Sequence, residues 1–198
     1  MVVGLTNMNL FPIFLKLEGR RCLVVGGGQV GTQKIAGLLD AGAEVTVVDP
    51  SASVAVREFL GRRVAWHVRK YLPSDLEGVY LVIAATSDEE VNRQIYDQAQ
   101  KRGILANVVD VPPLCDFYYP AVVRRGSLVV AVSSEGESPH LVQRVRDEIG
   151  QLLPEDLEAA VKDIGDERRR ILREHAPGAK RVQLLRDLVY PPRRRVGA

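Results

Sequence analysis

Apolar and polar positions follow two periods along this chain, and the switches between them divide it into elements. Cys22-Leu23-Val24-Val25 is a short continuous apolar run that leads straight into Gly26-Gly27-Gly28-Gln29-Val30-Gly31, the pattern of a buried strand that ends in a tight turn. Ile35, Leu38 and Leu39 then recur at helical spacing up to Ala41-Gly42-Ala43, and a second apolar run, Val45-Thr46-Val47-Val48, stops at Asp49. The alternation continues with a helix over 54–60, a short strand over 64–68 and a buried strand over 80–85 that ends at Thr86. A helix over 89–101 follows, with Ser87 or Asp88 as N-cap, and then a strand over 104–109 with Asp110 at its carboxyl end. Strands alternating with helices predict a parallel sheet with helices on its faces, an α/β fold of Rossmann type. In such sheets ligands gather at the carboxyl ends of the strands, so the glycine run, Asp49, Thr86 and Asp110 are expected on one rim.

Pro112-Pro113 breaks this rhythm. Beyond it, 117–123 and 128–132 read as two strands joined through Arg124-Arg125-Gly126, a hairpin that needs a partner surface to be stable. Ser138-Pro139 opens a helix that runs to about 153, with Ser138 as its capping side chain and proline at the first helical position. Helices over 155–175 and 179–189 complete the pattern, and Pro191-Pro192-Arg193-Arg194-Arg195 reads as a tail. The expected organisation is a nucleotide-binding Rossmann domain over 1–113, a small α+β segment over 114–153 and a helical domain over 154–198.

Composition narrows the function classes. A hydrophobic content of 46% with 26% charged residues is that of an ordinary globular chain. The net charge of +2 argues against a dedicated nucleic-acid binder. No apolar stretch approaches the roughly twenty residues of a membrane span, and the first ten residues lack a signal-peptide pattern, so no membrane association and a cytoplasmic location are expected. Cys22 and Cys115 do not form a metal-type spacing, and the three histidines form no zinc motif, so no resident metal is expected.

The chemistry is carried first by the glycines. Their spacing is G-x-G-x-x-G: one glycine for the turn, one to admit a pyrophosphate close to the backbone, one for helix–strand packing. The run follows a strand, opens a helix and has an acid about twenty residues on, which is the context the fingerprint requires. Gly26, Gly28, Gln29, Val30 and Gly31 are the candidates for the pyrophosphate, which a helix N-terminus attracts. Asp49, with Pro50 beside it, suits a ribose 2′-OH and would repel a 2′-phosphate, so NAD is expected over NADP. Thr86 and Asn107 are candidates for the nicotinamide side.

Four ordered stretches resemble one family. They are Phe11-Pro12-Ile13-Phe14-Leu15-Lys16-Leu17-Glu18-Gly19-Arg20, the triple glycine with Val30 and Lys34, Asn107-Val108-Val109-Asp110-Val111-Pro112, and Val132-Ser133-Ser134 with Ser138-Pro139. Together they are similar to the precorrin-2 dehydrogenase/sirohydrochlorin ferrochelatase family, the N-terminal module of siroheme synthases, whose methyltransferase half has no counterpart in these residues. The resemblance implies NAD-dependent oxidation of precorrin-2 to sirohydrochlorin, Fe²⁺ insertion in those members that also chelate, and a homodimer formed through 114–153. It also implies that Asp110 is the catalytic acid/base and that Ser134 lies near the substrate.

Other residues read two ways. Taken alone, Asp110 before Pro112 also fits a turn aspartate. Ser138, His140, Arg124 and Arg144 are candidate partners for the carboxylates of a tetrapyrrole substrate, arginine being suited to bidentate contacts. The arginines equally fit a solvated helix face or dimer salt bridges, and His140 fits a helix cap. Glu135 and Glu137 depart from the family's small residues and add negative charge beside a polyanionic substrate. The fingerprint alone also permits an NAD-sensing Rossmann module without turnover.

Overall fold

The computed structural model describes residues 10–51, 59 and 64–190. The helix expected over 54–60 and the basic tail lie outside the described residues. The chain forms two compact units, one over Phe11–Tyr119 and one over Pro120–Ala198 together with the residues up to Leu10.

The first unit is a five-stranded sheet with order β3-β2-β1-β4-β5, every pairing parallel. The strands are β1 (Arg21–Val25), β2 (Glu44–Val48), β3 (Val64–His67), β4 (Leu81–Ala84) and β5 (Leu105–Val108). This is the Rossmann arrangement that the alternation of elements predicts, and its strand order reverses between β1 and β4. Helices α1 (Gln29–Asp40) and α2 (Glu89–Lys101) cover opposite faces. Leu23, Val25, Val82 and Ala84 pack with Ile95 and Ala99 of α2, while Cys22, Val24, Leu81 and Ile83 pack with Ile35 and Leu38 of α1. The central strands are apolar at successive positions because both faces are covered, as buried parallel strands require. Helix α2 begins where Asp88 accepts hydrogen bonds from the amides of Glu90 and Val91, with Glu89 and Glu90 in the first turn and Lys101 in the last, all favourable to the helix dipole.

The chain after β5 turns back along it. Cys115 bridges to Asn107, and the Asp116 carboxylate accepts from the amide of Ala106 (2.8 Å) and from Gln100 Nε2 (2.7 Å). Free N–H and C=O groups at the β5 edge are thereby closed off. Phe117, expected in the hairpin, packs instead with the α1-side core of the first unit.

In the second unit β6 (Ala121–Arg125) and β7 (Leu128–Val132) form an antiparallel hairpin. Arg124 and Arg125 lie within β6 and the turn is Gly126-Ser127, one step beyond the expected connection. Helices α3 (Pro139–Leu152), α4 (Leu157–Glu174) and α5 (Ala179–Val189) follow. Arg125 Nη2 donates to the carbonyl of Gly150 at 3.0 Å, tying the hairpin to α3. Pro139 stands at the first position of α3 as expected, but Ser138 does not cap it. The Ser134 hydroxyl accepts from the amide of Ser138 at 3.0 Å instead. A serine four residues upstream reaches the free amide because 134–138 folds as a turn, closed by a 3.0 Å hydrogen bond from the amide of Glu137 to the carbonyl of Ser134.

Candidate active site at the sheet rim

The three fingerprint glycines have different physical reasons to be glycine. Gly26 leaves β1 at φ +102°, and a Cβ there would stand 2.4 Å from the carbonyl oxygen of Ala85. At Gly31 a Cβ would stand 2.0 Å from the carbonyl oxygen of Gly26, so this position lets α1 close onto the strand exit. Gly28 is exposed, with φ −67° and ψ −172°, and a Cβ there would meet no protein atom within 4 Å. Nothing in the protein requires glycine at 28. A bare backbone there is open to a group approaching from outside.

The start of α1 supports the same reading. Gly28 caps the helix without a side chain and no acidic residue occupies the first turn, so the first amides keep their capacity for an anion. Asp49 lies at the end of β2, and its carboxylate accepts from the amides of Gly27 and of Ser51, the latter at 2.6 Å. Asp49 therefore touches the glycine turn and carries its charge at the mouth of the loop. Pro50 beside it is exposed. These features fit a dinucleotide: amides for the pyrophosphate, a bare backbone at Gly28 for its approach, and a carboxylate for the ribose hydroxyls.

Thr86 and Asn107 are engaged within the protein. The Thr86 hydroxyl lies 2.7 Å from Asn92 Oδ1 and accepts from the amide of Asp88 at 3.1 Å, so it organises the turn into α2. Asn107 is buried and its Nδ2 donates to the carbonyl of Phe117 at 2.8 Å. Their side-chain nitrogen and hydroxyl are thus committed to shaping the rim.

Asp110 is exposed just beyond β5 and adopts φ +61°. The amide of Val111 donates to the carbonyl of Val108 at 3.2 Å, so Asp110 stands at the third position of a tight turn, where glycine or asparagine is preferred. Aspartate is one of the few non-glycine residues that tolerates this left-handed backbone in a turn, and here it leaves the carboxylate exposed. Close by, the Cys115 thiol lies 3.2 Å from the carbonyl of Val108, and burial raises its pKa. Cys22 is buried in β1, where desolvation pushes its thiol up to about 11. Neither cysteine is therefore an ionised nucleophile at neutral pH.

Lys34, named from the sequence only as part of the glycine stretch, has surroundings that its local pattern did not disclose. Lys34 of α1 is half-buried with its Nζ 3.6 Å from the centroid of the Tyr119 ring. Burial lowers the pKa of its ammonium, and the negative charge of Asp110 acts in the opposite direction. The signal was present in the helix period, since Gly31, Lys34, Ile35 and Leu38 form one stripe and a lysine interrupts its apolar face.

The remaining candidates belong to the second unit. Ser134 and Ser138 share the turn described above, and His140 is exposed near the start of α3. Arg124 is exposed on β6, and Arg144 forms an exposed pair with Glu148 at 2.9 Å. Glu135 adopts φ +55°, and its carboxylate accepts from the amide of Leu10 at 3.2 Å. Among the described residues no three or more His, Cys, Asp or Glu gather as a metal cluster, and no helix is long and apolar enough to cross a membrane.

Residues 13–121 match the family described as putative NAD(P)-binding, and residues 125–152 match the one described as sirohaem biosynthesis protein central. The chain belongs to the siroheme synthase and precorrin-2 dehydrogenase family. Siroheme synthase 1 of Pectobacterium atrosepticum is 43% identical over 176 residues, covering 88% of this chain and 37% of that protein. The siroheme synthase of Methylobacillus flagellatus is 46% identical over 148 residues, covering 74% of this chain and 32% of that protein. The chain thus spans about a third of the length of the curated relatives it matches. A solved structure of SirC, precorrin-2 dehydrogenase, superposes with a TM-score of 0.78 at 29% identity, covering 91% of this chain and 89% of that one. The first unit is accordingly the family's NAD(P)-binding domain, and NAD is its cofactor.

Proposed function

We propose that the chain is an NAD-dependent dehydrogenase that oxidises precorrin-2 to sirohydrochlorin in siroheme biosynthesis. The observation that carries the reading is Asp110, an exposed carboxylate held in a left-handed turn on the rim that also bears the glycine loop. The likeness to siroheme synthases and to the solved precorrin-2 dehydrogenase supplies the substrate class.

The reaction removes one hydride and one proton from the macrocycle. Bound in the glycine loop, NAD⁺ would supply the hydride acceptor. The protein's part is to seat the nucleotide and receive the proton. The α1 N-terminus and the bare backbone at Gly28 take the pyrophosphate, and Gln29 and Val30 contribute first-turn amides. Asp49 binds the adenosine ribose and Pro50 flanks it. Gly26 and Gly31 hold the turn in shape, while Thr86 and Asn107 shape the nicotinamide end through the contacts described above. Asp110 accepts the proton and passes it to solvent, for which its exposure suits it. Ser134, Ser138, His140, Arg124 and Arg144 bind the substrate's carboxylates. For Arg144 this means exchanging Glu148 for substrate, a small cost because exposed ion pairs are weak.

The hairpin is marginal alone, and Val122 and Leu141 are exposed apolar residues on it and on α3. We propose that a second copy of the chain covers this unit in a cytoplasmic homodimer. Insertion of Fe²⁺ into sirohydrochlorin is the second activity that the family resemblance implies; it needs a base for the pyrrole protons, and Asp110 is the candidate. Sirohydrochlorin incubated with Fe²⁺ and the protein, without NAD, tests it: a rate no faster than the spontaneous reaction removes the chelatase and leaves the dehydrogenase.

The reading is tested with Asp110→Ala. Retained NAD binding with loss of precorrin-2 oxidation, on the order of a hundredfold or more, is expected for a positioned acid/base. A protein that binds NAD but oxidises no precorrin-2 even before substitution would be a nucleotide sensor instead.

A further inference from the structure

Asn92 stands where the fold gives α2 an apolar residue. With Ile95 and Ala99 it forms the buried stripe of the helix, and only 7% of it is exposed. An amide buried there is costly unless its polar atoms are bonded. Among the described residues all of its side-chain bonds go to Thr86. Asn92 Nδ2 donates to the carbonyl of Thr86 at 3.0 Å, and its Oδ1 faces the Thr86 amide at 3.3 Å and the Thr86 hydroxyl at 2.7 Å.

These contacts fix where each hydrogen points. A backbone carbonyl only accepts and a backbone amide only donates, so the Asn92 nitrogen must face the first and its oxygen the second. The Thr86 hydroxyl then meets an acceptor at Oδ1, and this 2.7 Å contact takes its hydrogen in preference to the Asp88 carbonyl at 3.1 Å. On its other side the hydroxyl oxygen accepts from the amide of Asp88 at 3.1 Å. A hydroxyl has one hydrogen and two lone pairs. The second lone pair has no donor among the described residues, and Thr86 remains partly exposed.

Thr86 borders the nucleotide loop. A Cβ on Gly26 would stand 2.4 Å from the carbonyl oxygen of Ala85 and 2.9 Å from the amide nitrogen of Thr86, so the end of β4 lies against the turn that opens the loop. Asp49 lies on the other side of β1, at the end of β2. A dinucleotide held across the switch point with its adenosine ribose at Asp49 therefore turns its nicotinamide toward β4. We propose that Asn92 is a positioning residue for the cofactor: it draws the hydrogen of the Thr86 hydroxyl inward and leaves Thr86 as an acceptor for the N–H of the nicotinamide carboxamide. This rests on NAD binding with its adenosine end at Asp49, and not on precorrin-2 as the substrate.

Calorimetric titration of the full chain with three nucleotides tests this, without turnover. They are NAD, its 3-acetylpyridine analogue, in which a methyl group replaces the carboxamide NH2, and ADP-ribose, which lacks the nicotinamide. The wild type is expected to bind NAD about fivefold more tightly than the analogue, the worth of one neutral hydrogen bond. Thr86→Val has no acceptor, and in Asn92→Leu the hydroxyl is free to turn its hydrogen outward. Both are expected to bring that ratio to about one while ADP-ribose affinity stays within about twofold of the wild type. Thr86→Ser keeps the hydroxyl and Asn92→Asp keeps an acceptor for it, so both are expected to retain the ratio. Where Asn92→Leu does not fold, Asn92→Ala carries the same expectation. The inference is overturned if the wild type does not discriminate between NAD and the analogue, or if Thr86→Val or Asn92→Leu keeps the wild-type ratio. It is also overturned if Asn92→Leu loses ADP-ribose along with NAD, the mark of a purely structural role. A wild type that binds none of the three overturns the nucleotide assignment itself.

Discussion

Replacing Gly28 with alanine separates the binding role of the glycine loop from its folding role. The residue has φ −67° and ψ −172°, extended backbone that alanine adopts freely, and its Cβ would meet no protein atom within 4 Å. The folded state therefore gains no clash, while the unfolded chain loses freedom, which stabilises a protein by about 0.4–1 kcal/mol. For a chain of this size that is a rise in Tm of about 1–4 °C. The same methyl group stands where a pyrophosphate would meet the backbone, so NAD is expected to bind at least about tenfold more weakly, a loss of about 1.4 kcal/mol. Gly31→Ala is the contrasting case, since its Cβ would stand 2.0 Å from a backbone carbonyl oxygen that cannot swing aside. Overpacking of that kind costs about 1–3 kcal/mol or more, and Tm falls. The assay is thermal unfolding of both variants without nucleotide, followed by fluorescence titration with NAD. A Gly28→Ala protein that binds NAD like the wild type, or that melts well below it, refutes the assignment of Gly28 to the cofactor.

Other substitutions follow the same logic. Asp49→Asn removes the charge that repels a 2′-phosphate, so the ratio of NAD to NADP affinity should fall by about tenfold on direct titration; an unchanged ratio places the discrimination elsewhere. Asp116→Ala deprives the amide of Ala106 and Gln100 Nε2 of their acceptor, for an expected loss of about 1–3 kcal/mol in denaturant unfolding, whereas a neutral effect would show the β5 edge to be satisfied by water. Asp75 is held below the usual carboxylate range chiefly by hydrogen bonds from the Arg69 guanidinium, at 2.8 and 2.6 Å. A carboxyl depressed in the folded state stabilises above its unfolded pKa of about 3.9 and loses that contribution as pH falls through its folded value. The Tm gap between wild type and Asp75→Asn should accordingly be full above pH of about 4 and close below it, and a gap that persists in acid would refute the ion pair as its cause.

Much of the first unit was legible because its elements carry local punctuation. Helix α2 spans Glu89–Lys101 as expected, since Asp88 caps it and Gly103 ends it within a few residues of chain. The strands that line the switch point are apolar at successive positions, which only a doubly covered sheet explains. What escaped depends on contacts between distant residues. Phe117-Tyr118-Tyr119 is an apolar run that alternation assigns to a strand, but alternation does not say which sheet receives it, and Phe117 went to the first unit's core. Ser138 looked like the cap of α3 because it precedes Pro139, yet the turn over 134–138 brings the Ser134 hydroxyl to that amide. Asn107 reads as a ligand group in a rim motif, whereas burial turns its amide toward the carbonyl of Phe117. Lys34 and Tyr119 meet across the whole Rossmann unit, a pairing no local pattern encodes.

The central claim is tested most directly by the stoichiometry of turnover under anaerobic conditions. Purified protein is mixed with precorrin-2 and NAD⁺, and sirohydrochlorin and NADH are followed together by absorbance. The account predicts that the two appear in equal amounts, at a rate proportional to protein and abolished in Asp110→Ala. Sirohydrochlorin formed without NADH, or equal formation in the variant, would contradict it.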